Sequence, residues 1–147
     1  MPRSSVLHVA HELVESGRAE HGWSLPTPPD RAYESNQVFE VYHLLYDGAV
    51  VDLLSFRDMA FTNEILETAI AIPELGGLRF IRPELLIVTQ FIRPDVRAAI
   101  AAIDLVAARQ DQGGLDVEYA KHWARLVGRE GRLEAALEHV DSLRRTS

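Results

Sequence analysis

Asp52 is the residue whose setting in this sequence most invites a chemical reading. It lies inside Val50-Val51-Asp52-Leu53-Leu54, an apolar run that predicts a strand, and burying a carboxylate without a partner is costly. A candidate partner is His43. The runs Gln37 to Tyr46 and Ala49 to Ser55 flank Asp47-Gly48, the residue pair that a type I′ hairpin turn prefers. With those two residues as the whole loop, Tyr46 faces Ala49 and His43 comes directly opposite Asp52. One more or one fewer loop residue destroys the pairing. A functional reading makes Asp52 a magnesium ligand or general base with His43 beside it. A structural reading makes the two a cross-strand polar pair, or leaves Asp52 on a solvent face.

Other groups offer less. His8 and His11 stand at i and i+3 on a predicted helix, near enough to share a metal, and His21 follows, but two ligands do not complete a site. Arg79, Arg82, Arg93 and Arg97 can gather on one surface and meet phosphates, since guanidinium forks match phosphate oxygens. Glu74, Glu84 and Asp95 lie among them and can neutralise the group. Asp58, Asp95, Asp104 and Glu64 are also explained by helix caps and exposed faces. The sequence has no Gly-rich phosphate loop, no Gly-x-Ser-x-Gly elbow and no His-Glu-x-x-His pattern.

The elements that must position these residues follow from periodicity. Val6, Val9, Ala10, Leu13 and Val14 predict a helix over about 5–16, and three prolines predict an extended loop over 22–36. After the hairpin, Thr62 can cap a short helix running through Ile65, Leu66, Ala69 and Ile70. Pro73 to Gly77 reads as a turn, and Leu78 to Arg82 as a third strand. Pro83 and Glu84 suit the start of a helix over 83–92, whose Leu-Leu-Ile-Val-Thr-Gln-Phe-Ile is apolar nearly all round and predicts burial. Asp95 opens the next helix, with Val96, Ile100, Ile103 and Ala107 in a stripe. Asp116 caps another, and a last helix runs from about Arg132 to Leu143. The chain therefore reads as α+β. A small mixed sheet with a hairpin over about 37–55 lies in a first half, 1–82, and a helical bundle fills 83–147, in one domain over 1–147.

Composition bounds the function. The 147 residues carry 22 acids against 15 bases, a formal net charge of -7, so no general field draws a polyanion and nucleic-acid binding is not expected. With no cysteine there are no disulfides, thiolate metal sites or cysteine nucleophiles, which suits a reducing compartment. No stretch approaches the roughly 18–20 apolar residues of a membrane span, so a cytoplasmic protein without a membrane is expected. Lys121 is the only lysine available to any chemistry that needs one.

From Val50 onward the segments resemble the second half of the nucleotidyltransferase fold of AbiEii-like proteins, found in bacterial toxin–antitoxin and phage-abortion modules. The shared order is a strand ending in Val-Asp-Leu-Leu, a helix like Phe61 to Ile70, a short strand, and Pro83-Glu84-Leu85-Leu86-Ile87 opening a helix. A helix carrying Asp104 and the segment Leu115 to Ala124 complete it, over about two thirds of the chain. The resemblance implies that Asp52 matches one of three carboxylates holding magnesium, and that several acids are needed for the metal to bridge nucleotide phosphates. The resemblance sets Gln90 and Arg97 at positions that face a nucleotide, with Arg93 of the arginine cluster beside them, and a rearranged metal site would be built from Asp52, His43 and an acid such as Asp58 or Asp104.

The departures matter as much. No Gly-Ser turn and no Asp-x-Asp strand precede Asp52, so the chain looks as though it starts just after that strand. A lysine expected on the Pro-Glu-x-Leu-Ile helix is Gln90. An Arg-x-Lys-Asp-x-x-Asp pattern is reduced to Arg97 and, in imperfect register, Asp104. The expectation is a truncated relative that is catalytically silent alone and acts by binding a protein or assembling with copies of itself, without a cofactor. The alternative is a working magnesium-dependent transferase with a rearranged site built on Asp52.

Overall fold

The computed structural model describes residues 12, 22–25, 32–93 and 95–147. The helix predicted over 5–16, with His8 and His11, and also His21, fall outside the described residues apart from Glu12. The chain divides into two compact units, 1–59 and 60–147, and its class is α+β as the sequence predicts.

In the first unit, strand β3 (Phe39–Tyr46) is central. It pairs antiparallel with β4 (Ala49–Phe56) along its whole length, and along its other side with β1 (Trp23–Ser24) and β2 (Tyr33–Ser35). Both short strands fall in the stretch predicted as loop, where too few residues alternate to give a strand signal. The turn is the one the sequence names. Asp47 at φ 47° and Gly48 at φ 83° take the left-handed conformations that a type I′ turn requires, matching the twist of the flanking strands. The register follows from Tyr46 opposite Ala49 to His43 opposite Asp52 and Phe39 opposite Phe56.

Tyr42 and Leu44 project from one face of β3 into a cluster with Ala32, against which Trp23, Leu25, Tyr33 and Leu53 pack. Trp23 stands 4.9 Å from Tyr46, ring centre to ring centre. At the open end of the hairpin the Asn36 side chain accepts from the amides of Val38 and Phe39. Arg57 Nε donates to the Asn36 carbonyl at 2.7 Å, fastening β4 to the segment before β3.

Helix α1 (Met59–Thr68), all of it but Met59 in the second unit, is followed there by a ribbon of β5 (Ile70–Ile72) and β6 (Leu78–Phe80). The helix starts three residues before the predicted cap, Thr62, and stops before Ile70. That isoleucine pairs with Phe80 instead, since a β-branched residue suits the ribbon better than a helix end. The strand predicted at 78–82 therefore has β5 as its mate. Pro73–Leu75 forms one 3-10 turn between them, and Gly76 at φ 70° and Gly77 at φ 78° reverse the chain.

Four helices follow: α2 (Pro83–Ile92), α3 (Val96–Asp111), α4 (Val117–Leu126) and α5 (Glu130–Arg145). Helix α2 packs against all three others, and Leu85, Ile87, Val88, Phe91 and Ile92 are buried, as its unbroken apolar run requires. Phe61 of α1 meets Trp123 of α4, ring centres 5.8 Å apart. The predicted caps are present: Asp95 accepts from the amide of Ala98 at 2.7 Å, and Asp116 from that of Tyr119 at 3.0 Å.

Helix α3 turns its small residues inward. Ala98, Ala102 and Val106 are buried, whereas the predicted stripe of Val96, Ile100, Ile103 and Ala107 starts with two exposed side chains. Periodicity finds an apolar stripe but does not say which of two apolar faces the bundle covers. The face that the bundle covers is the one with Ala98, Ala102 and Val106.

Candidate functional site

Asp52 and His43 meet as the turn dictates. His43 Nδ1 lies 2.7 Å from Asp52 Oδ1, and the two side chains keep 23% and 21% of their surface exposed. Facing residues of an antiparallel pair project to the same side of the sheet, so the two-residue turn alone delivers the contact. With Asp52 ionised, Nδ1–H donates to the carboxylate. On the far side of the ring Nε2 stands 3.7 Å from Glu34 Oε1, on β2. Glu34, His43 and Asp52 thus form a polar row across three strands. The backbone fixes the histidine too, since its amide donates to the Ala32 carbonyl at 2.6 Å.

In the second unit, Gln90, Arg93 and Arg97 line one open groove of about 620 Å³, together with Asp95, Val96, Ala98 and Ala101. Gln90 comes from the end of α2, Arg93 from the connection and Arg97 from the first turn of α3, so a sharp turn between two helices gathers all three. Asp95 sits beside them and Arg93 Nε approaches its Oδ2 at 3.4 Å, which neutralises part of the positive field. Asp104 is exposed on α3.

The remaining arginines of the predicted cluster are engaged elsewhere. Arg82 Nε lies 3.4 Å from Glu84 Oε2, with its guanidinium 4.2 Å above the centre of the Tyr119 ring. Arg79 donates to the Ala69 carbonyl at 3.2 Å. Among the described residues no group of three or more histidines and carboxylates is arranged to hold a metal ion.

Sequence reasoning missed a polar network inside the second unit. Glu84 is buried, and its Oε1 accepts from the amide of Asp116 at 3.2 Å, joining the start of α2 to the start of α4. Tyr119 donates to Glu64 Oε1 at 2.5 Å. Burial, and then this bond to a carboxylate, raise the Tyr119 hydroxyl above its usual pKa. The one available signal was Glu84 in the first turn of a helix otherwise apolar all round, which demands a partner.

Among the described residues no helix is long and apolar enough to cross a membrane. No protein-family model matches the chain, and neither does any curated protein or solved structure.

Proposed function

We propose that the chain is a nucleotidyltransferase-like protein that works by binding protein, a second copy of itself included, and not by catalysis. The observation that carries this reading is exposed apolar surface on ordered elements of the second unit. Ile70, Leu78 and Phe80 are exposed on one face of the β5–β6 ribbon, where Ile70 faces Phe80 and Ile72 faces Leu78, while Ala71 and Arg79 occupy the other face. Val96 and Ile100 are exposed on α3. Contiguous apolar side chains left in water mark surfaces that proteins cover. In this reading Asp52 is a structural residue, held by His43 across the hairpin. A chain without cysteine suits the cytoplasm, and modules of the toxin–antitoxin type, in which one small protein binds another, are a fitting setting.

A second reading is a metal-dependent nucleotidyltransferase, drawn from the resemblance at Asp52 and, separately, from the groove of the second unit that gathers Gln90, Arg93 and Arg97 at the start of α3. Thermal melting with magnesium and each nucleoside triphosphate separates the two. Unchanged melting of wild type and Asp52→Asn alike is the expected result. A nucleotide-dependent rise in Tm that Asp52→Asn abolishes would establish the transferase instead, because a ligand selective for the native state must stabilise it.

A further inference from the structure

The outer face of α3 has the pattern of a helix that expects another helix. Val96 is 73% and Ile100 53% exposed, and the half-buried Ile103 and Ala107 continue the same line. Steps of four, three and four residues are the alternation of a coiled-coil seam, in which apolar side chains of one helix enter gaps between those of its mate. The seam residues Val96 and Ile103 also wall a mainly apolar groove of about 380 Å³, lined further by Phe91, Ala99 and Ala136, with Asp95 and Arg132 among its lining. Crest and hollow thus lie side by side on one surface, the arrangement that a two-fold axis makes self-complementary.

The charges flanking the seam choose the occupant. Arg97 and Asp104 are both exposed and lie seven residues apart, so they hold equivalent positions on one flank of the seam. In an antiparallel pair, equivalent flanks meet. Arg97 of each copy then faces Asp104 of the other, and the two-fold axis makes the contact twice. A parallel pair sets this flank against the opposite one, where Ala99 and the buried Val106 offer no charge. The helix carries its own complement in the antiparallel sense.

We propose that α3 is a homodimer interface, in which the seam of Val96, Ile100, Ile103 and Ala107 packs antiparallel on that of a second copy, with Arg97 of each facing Asp104 of the other. This inference rests on the reading that the chain works by binding protein, and names the surface and the partner. The two acid–base contacts hold the register, and the apolar seam supplies the burial.

The test is sedimentation of the full chain over a wide concentration range, for wild type, Arg97→Glu, Asp104→Arg, the double variant with both changes, and Ile100→Glu. All three positions are exposed, and circular dichroism checks that each variant keeps its helices. Wild type is expected to dimerise. Each single charge reversal should raise the dimer dissociation constant by about tenfold, since two attractive contacts become two repulsive ones. The double variant should return it to near the wild-type value, and Ile100→Glu should be monomeric. A wild type monomeric throughout overturns the interface. So does a dimer indifferent to the charge reversals, or one that the double variant fails to restore. The reading beneath it falls separately, to nucleotide-dependent stabilisation that Asp52→Asn abolishes.

Discussion

His43 Nδ1 and Asp52 Oδ1 stand 2.7 Å apart, on facing residues of a hairpin whose turn is Asp47-Gly48. The contact is therefore a property of the turn as much as of the two side chains. Either residue moved by one position would point to the other side of the sheet.

His43→Ala and Asp52→Ala should each destabilise the protein by about 0.5–1.5 kcal/mol, the usual worth of a partly exposed polar pair. The double variant should cost less than the two singles together, because each single already removes the contact that the two share. Chemical denaturation of the four proteins measures the difference. Strict additivity would show that the pair is not energetically coupled.

Gly48 sits at φ 83°, where a side chain strains against its own backbone. Gly48→Val should cost about 1–2 kcal/mol, and more than the same change at a glycine with ordinary φ. Inserting one residue between Asp47 and Gly48 should be worse still. It breaks the register of a pairing eight residues long on each strand, which thermal melting will report as a lower and broader transition.

Ile87 is wholly buried in the helix that touches all three of its neighbours. Ile87→Ala should cost about 2–5 kcal/mol, as removal of buried methylene groups leaves a hole that the bundle closes only in part. Val96→Ala, on the exposed crest of α3, should change monomer stability by less than about 0.5 kcal/mol. Equilibrium unfolding at low protein concentration compares them, and comparable losses would place Val96 inside.

Tyr119 should titrate above the ordinary tyrosine range, because burial and the bond to Glu64 both favour the neutral hydroxyl. A group whose pKa is higher folded than unfolded contributes stability that is complete below the unfolded value, about 10 for tyrosine. The contribution disappears as pH rises through the folded value. Glu64→Ala should bring the tyrosinate absorbance transition of the folded protein back toward the ordinary range. An unmoved transition would assign the whole effect to burial.

The hairpin was legible because two residue types fix a turn and a turn fixes a register. Helix α2 was legible because an apolar run behind Pro83 and Glu84 has one plausible shape and one place to go. The caps Asp95 and Asp116 declared themselves through their own side chains. What escaped was decided by partners distant in sequence. Ile70 left its predicted helix for Phe80, and Val96 and Ile100 face outward because α2 and α5 take the alanine side of α3. For the same reason, pairing such as Tyr119 with Glu64, 55 positions apart in the chain, is invisible to periodicity.

Ala98, Ala102 and Val106 are the side chains that α3 buries against its neighbours. Inheritance of that inner face is thereby frozen, while the opposite face remains open to revision at little risk to folding. On the proposed interface, exchanging two or three surface letters would change the associate, and duplicated copies would drift into separate, mutually blind pairs.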